Sequence, residues 1–433
     1  MDILFKNATI VTMDEKNPVF YDACLGVTGR KIVLLSEEEI AAKASRVMDC
    51  KGKVIMPGLY NCHTHAAMTL FRGYANDRAL EDWLFNFIFP AEKKLTPGLI
   101  KTATTLAAAE MIAGGTVSFS DMYYFMDTVA DVAYETGMLA NVSNAVVGMD
   151  KDTYDFHKDN VYGQTLNAIE KYLGEKDGRV KIDASIHAVY TSHPKAWAQV
   201  MDFCHKFGLD MHVHLSETKT EHEGCIKTYG RTPAKVFYDN GVFDVRTLCA
   251  HGVWVTDEDI GILAEKCATV VHNPLSNLKL ASGLAPIDKL LKGGVNVAIG
   301  TDSVSSNNSH NLFEEIKMAS LLQKYATNDP TAMPAFKTLQ LATTSGARAQ
   351  GRTECGMLKE GFDADLIVID FDNPRQTVCY DPVLNLAYST SDKDVELTMV
   401  RGKILYEKGD YKTIDMEKIL HEAKKAKTVF QNL

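Results

Sequence analysis

The 433-residue chain carries 46% hydrophobic and 24% charged residues, so disorder is excluded and a sizeable core is affordable. Its net charge of −10 argues against a nucleic-acid surface, which needs concentrated basic charge. Its nine scattered cysteines contain no Cys-x-x-Cys pair, and no run approaches the length of apolar sequence that spans a bilayer. A cytoplasmic protein with reduced thiols, acting neither on nucleic acid nor in a membrane, is the resulting expectation.

In chain order, the first 57 residues hold short β-patterned runs at Ile3–Met13, Ala23–Leu35 and Val47–Ile55, broken by Asn-Pro, Gly-Arg and Lys-Gly. The same texture returns at 364–370 and 395–406, so both ends are expected to build one small composite β-sandwich domain. Between them, short apolar runs alternate with helical periodicity. Leu99, Ala103, Leu106, Ala107 and Glu110 share helical spacing, and Gly114-Gly115 ends that helix. Eight strand candidates follow: Leu59–His65, Thr116–Met122, Leu139–Val146, Lys181–Val189, Leu209–Glu217, Thr247–Val253, Ala268–Pro274 and Asn296–Asp302. Eight βα units predict a TIM (β/α)8 barrel, with its chemistry at the C-terminal strand ends. The expected division is 1–57, 58–355 for the barrel, and 356–433 with a final amphipathic helix over Met416–Phe430.

The first barrel strand carries His63 and His65 after the turn Met56-Pro57-Gly58. Residues two apart on a strand face the same way, so the pair can share one ion. On this register His65 ends strand one, His214 lies near the end of strand five, His251 sits in strand six and Asp302 ends strand eight. Imidazoles and one carboxylate suit a Zn2+-type ion with a position left for water. No lysine lies within the third or fourth strand beyond Lys181 at a strand start, so nothing favours a lysine bridge between two metals, and one ion is expected.

Several segments carry a resemblance: Cys62-His-Thr-His-Ala-Ala-Met-Thr-Leu-Phe-Arg-Gly73, Glu81-Asp-Trp-Leu84, Pro90-Ala-Glu92, His214-Leu-Ser-Glu-Thr218, Ala250-His251, His272-Asn-Pro-Leu-Ser-Asn-Leu-Lys-Leu280 and Gly300-Thr-Asp-Ser-Val-Ser-Ser-Asn-Asn308. In these the chain resembles the amidohydrolase superfamily and, within it, the 5'-methylthioadenosine/S-adenosylhomocysteine deaminases. The resemblance implies an α/β fold of the metal-dependent hydrolase type and one divalent ion per subunit, Zn2+ with Fe2+ as the alternative. It implies His63, His65, His214 and Asp302 as ligands, Glu217 as the acid/base serving a ring nitrogen, and His251 as the residue orienting the attacking water. It also implies Glu92 as the acceptor of ribose hydroxyls and His187 as a substrate contact, although Ile186 and Val189 stand where the family has prolines. Trp83 is either an aromatic wall for a ligand or a rim side chain, and Ser306 lies in a Ser/Asn-rich loop beside Asp302.

The bland readings concern two histidines and a glutamate. His212 shares the face of His214 from deeper in the strand and is expected to orient a ligand or fill the core. His272 either orients substrate or satisfies a buried hydrogen bond. Glu92, beside Lys93 and Lys94, would otherwise read as a solvated helix charge.

The implied reaction is hydrolytic deamination of an adenine nucleoside, namely 5'-methylthioadenosine, adenosine or S-adenosylhomocysteine, to the inosine derivative and ammonia. The alternative is the same site acting on another electron-poor ring: guanine, a pterin or a triazine. Residues 138–178 contain no arginine to grip an amino-acid tail; Lys151, Lys158 and Lys171 offer only point charges. A neutral-tailed nucleoside is therefore expected, in a chain that could form a homo-oligomer.

Overall fold

The computed structural model describes residues 1–38, 43–174 and 177–430. Eight parallel strands run in sequence order around a barrel: Leu59–Thr64, Thr116–Met122, Leu139–Ser143, Val180–Ile186, Asp210–Leu215, Thr247–His251, Thr269–His272 and Asn296–Ile299. The barrel strands are almost wholly buried, which explains why they read as continuous apolar runs rather than as alternating ones. Helices follow the strands on the outside, among them Pro97–Ala113, Met126–Thr136, Asn160–Tyr172, Pro194–Phe207 and Leu312–Thr327. Thr96 caps the first of these by accepting from the Leu99 amide at 3.3 Å.

The ring closes where the last strand meets the first. Thr64 and Asp302 form a parallel bridge, and the Asp302 amide donates to the His63 carbonyl at 2.9 Å. Gly300 sits at this seam because nothing larger fits. A Cβ there would lie 2.6 Å from Asn273 Oδ1 and 2.8 Å from the His63 nitrogen.

The strands stop sooner than periodicity suggests. His65 lies one residue past strand one and Asp302 three past strand eight. The backbone turns left-handed at Ser216 (φ 49°), His251 (φ 76°) and Asp302 (φ 59°). Non-glycine residues in this region carry strain that the surroundings must hold, and such residues cluster at functional sites.

Both chain ends contribute to a second, nine-stranded sheet, where Lys53–Pro57 pairs antiparallel with Leu366–Asp370. The expected run 23–35 is a hairpin of Val19–Thr28 and Lys31–Ser36 turning at Gly29-Arg30, and 395–406 is likewise two strands, Val395–Val400 and Lys403–Glu407. In the second turn Arg401 and Gly402 both have positive φ, the backbone of a tight hairpin. The sheet curls over its own core of Phe5, Ile10, Leu25, Ile55 and Leu366, and a bridge from Lys31 to Asp363 brings its two halves together. The final helix spans Met416–Ala426, followed by a short 3-10 turn.

Candidate active site

Four side-chain atoms converge at the C-terminal mouth of the barrel. His65 Nε2 lies 3.4 Å from Asp302 Oδ1 and 3.4 Å from His214 Nε2, while His63 Nε2 lies 3.5 Å from the same carboxylate oxygen. Every one of these imidazoles is oriented from behind. His65 Nδ1 donates to the Met122 carbonyl at 2.6 Å and His214 Nδ1 to the His187 carbonyl at 2.8 Å. His63 Nδ1 is 2.9 Å from His212 Nε2. A hydrogen on each Nδ1 leaves the Nε2 lone pair facing the centre, the tautomer a metal requires. His212 thus stands behind His63 and not at the centre.

These atoms fit a divalent ion. Bonds of about 2.1 Å in tetrahedral array give donor separations of about 3.4 Å. His63 Nε2 is fully buried with no protein partner, which is costly for a nitrogen with no further role. Burial pushes the His63 imidazole down to about 4, so it is neutral at pH 7, as a ligand must be. Burial alone would raise the Asp302 carboxyl, but the nearby His63, with His251 and His65 around it, holds it well below the carboxylate range. Asp302 is further fixed by hydroxyls: Ser276 donates to Oδ2 at 2.6 Å and Ser306 at 3.0 Å.

Glu217 and His251 face each other beside this centre, with Oε2 3.8 Å from Nε2. His251 Nδ1 donates to Asn277 Oδ1 at 2.8 Å, which turns Nε2 toward Glu217. Burial raises the Glu217 carboxyl above its ordinary value. For His251 burial pulls the other way, and the Glu217 and Asp302 charges outweigh it to give a net rise.

A cleft of about 720 Å3 opens over these groups. His187, Trp83, Glu92 and Ser306 all line it. His187 Nδ1 is 3.0 Å from Thr191 Oγ1. Trp83 is buried, with Leu84 and Ile88 from the same segment beside it. Glu92 Oε1 accepts the Tyr123 hydroxyl at 2.6 Å, and Tyr124 also lines the cleft beside it. Burial pushes the Glu92 carboxyl up to about 7. His272 does not line the cleft, and neither of its nitrogens has a protein partner, so it meets neither expectation. No lysine or arginine among the described residues lines the cleft; Glu175 and Lys176 of the arginine-free stretch lie outside them. Lys181 bonds to the Gln350 and Gly351 carbonyls, away from the cleft.

Sequence reasoning missed Asn277, Ser276, Tyr123, Tyr124 and Glu221. The first two stand inside the quoted segment His272–Leu280, so the signal was present; the tyrosines directly follow strand two, where barrel chemistry gathers.

The chain belongs to the amidohydrolase family, whose model matches residues 54–405. Among its relatives, a 5-methylthioadenosine/S-adenosylhomocysteine deaminase of Acetivibrio thermocellus is 41% identical over 428 residues, covering 98% of both chains. A 5'-deoxyadenosine deaminase of Methanosarcina mazei is 42% identical over 429 residues, covering 98% of this chain and 97% of that one. The crystal structure of an adenosine deaminase from Xanthomonas campestris with bound zinc superposes with a TM-score of 0.94 at 29% identity, covering 100% and 99% of the two chains.

Proposed function

We propose that this protein is a metal-dependent deaminase of adenine nucleosides whose 5' substituent is small and uncharged. The reading rests on one juxtaposition: a converging His63, His65, His214 and Asp302 set, with Glu217 and His251 beside it, under a cleft whose remaining lining carries one further carboxylate, Glu92, and, among the described residues, no lysine or arginine. The relatives named above deaminate adenine nucleosides, and their zinc-bound neighbour supports a divalent ion, here a single Zn2+.

His63, His65, His214 and Asp302 would hold that ion, whose chemistry when bound would be to make a water acidic enough, with a pKa of about 7, to attack at neutral pH. Burial raises the Glu217 carboxyl, which favours its role as the group that hands a proton to the ring nitrogen as water attacks the adjacent, amine-bearing carbon. Asp302 takes the proton of the attacking water, and His251 orients that water. The carbon–oxygen bond forms, the adduct's hydroxyl proton returns to Glu217, and the proton held by Asp302 passes to the amine as the carbon–nitrogen bond breaks, so ammonia leaves and the ring nitrogen keeps the proton it received. Glu92 has room for more than the Tyr123 hydroxyl, since a carboxylate offers about four acceptor positions. The others are left for ribose hydroxyls, while the apolar walls from Trp83, Leu84 and Ile88 receive the 5' group.

Ammonia release by zinc-loaded protein tests the reading over 5'-methylthioadenosine, 5'-deoxyadenosine, adenosine, S-adenosylhomocysteine and guanine. Methylthioadenosine or deoxyadenosine is expected to exceed S-adenosylhomocysteine in kcat/KM by about tenfold or more, because a charged tail finds no partner on the walls. Preference for S-adenosylhomocysteine would sink the specificity, and turnover of guanine alone would sink the nucleoside reading.

A further inference from the structure

Glu221 lies outside the group of residues that face the cleft, yet it is buried at 6% exposure and both its oxygens are used. Oε2 accepts the Glu217 amide at 2.7 Å and Oε1 the Ser216 amide at 3.2 Å. Its own amide donates to Thr218 Oγ1 at 3.1 Å, at the start of the helix Lys219–Tyr229. An ordinary capping box would send a glutamate at this helical position back to the amide of the capping Thr218. Glu221 instead reaches past it to the two preceding residues.

Those two amides belong to the turn that aims Glu217. Ser216 is in the left-handed region, a conformation that an L residue holds only when its neighbours impose it. The Ser216 carbonyl is tied to the Trp254 amide at 2.9 Å, so the turn is clamped from both sides. Placing a buried carboxylate next to Glu217 is unfavourable electrostatically, and burial together with the Glu217 charge pushes Glu221 up to about 7. A cap alone does not call for that cost.

Resting on the deaminase reading above, we propose that Glu221 is a positioning residue, whose carboxylate fixes the Ser216–Glu217 backbone and so directs the Glu217 carboxyl into the cleft. Glutamine keeps one acceptor oxygen and turns an amide against the other N–H, so Glu221→Gln retains part of the clamp and Glu221→Ala none. In the metal-loaded enzyme kcat is expected to fall about tenfold for Gln and about a hundredfold for Ala, with KM and bound zinc unchanged.

The deciding measurement is a double-mutant cycle with Glu217→Gln. If Glu221 acts through Glu217, adding Glu221→Gln to Glu217→Gln costs no further activity. Additive losses, or a lowered melting temperature with kcat intact, would overturn the proposal in favour of a plain helix cap. Wild-type turnover of adenine nucleosides is measured first: its absence defeats the assignment of Glu217 and the proposal with it, whereas an additive cycle in an active enzyme defeats the role of Glu221 alone.

Discussion

Glu92 is poised to titrate in the range where the enzyme would work. Burial raises its carboxyl to about 7, so below that pH it carries a proton and loses acceptor capacity, and above it the carboxylate can take both ribose hydroxyls. KM for the nucleoside is therefore expected to fall as pH rises from 6 to 8, roughly tenfold per unit at most on the acid side of the titration. Glu92→Gln should flatten that dependence and raise KM at pH 8; a variant that keeps the wild-type slope would show that another group titrates. At this scale the sequence was informative about residues whose partners are local in the strand pattern. His63, His65 and His214 are legible because strand ends and two-residue spacing are read along the chain. Asn277 behind His251 and Ser276 behind Asp302 come from the short helix Pro274–Lys279 after another strand, and only the closed barrel brings them together.

Strand ends are where the elements depart from expectation. Alternation and apolar runs locate all eight barrel strands, but the stopping points depend on the left-handed residues Ser216, His251 and Asp302, whose side chains leave no periodic signature. The small sheet was misjoined in sequence for a related reason. Gly29-Arg30 and Arg401-Gly402 interrupt runs that are β-patterned on both sides, and only the turn backbone separates one long strand from a hairpin. Gly300 gives the element scale its prediction. A methyl group there would press on Asn273 and on the His63 backbone, so Gly300→Ala should cost about 1–3 kcal/mol in urea unfolding and reduce bound zinc together. Full zinc occupancy in a destabilised Gly300→Ala would mean that the seam adjusts without moving His63.

Across the whole molecule, the sheet built from both chain ends reaches the barrel through Arg401, whose guanidinium pairs with Asp177 just ahead of the fourth barrel strand. Cys355, Asp363 and Asp365 lie close enough together to suggest a second metal cluster. Groups of the chain already serve it: the Arg30 and Lys31 cations pair with Asp363, and the Arg401 backbone amide donates to Asp365 at 2.6 Å. The composite architecture was legible because strand runs follow one another at both ends, whereas between them strands alternate with helical periodicity; that its two ends meet as the adjacent strands Lys53–Pro57 and Leu366–Asp370 was not.

The Thr64–Asp302 bridge makes the ion a fastener as well as a reagent. Two of the proposed ligands flank Thr64 and a third is its bridge partner, so an ion held by them would staple the first turn of the cylinder to the last. Zinc that binds only the closed ring would stabilise it by about 2.7 kcal/mol at a hundredfold excess over Kd. Stripping the protein with a chelator should lower its melting temperature, and titrating zinc back should restore heat resistance in step with turnover. Two curves that separate would assign the ion to chemistry alone. If they coincide, heat tolerance becomes a gauge of metal supply: a cell short of zinc would lose this enzyme to unfolding, not merely leave it idle.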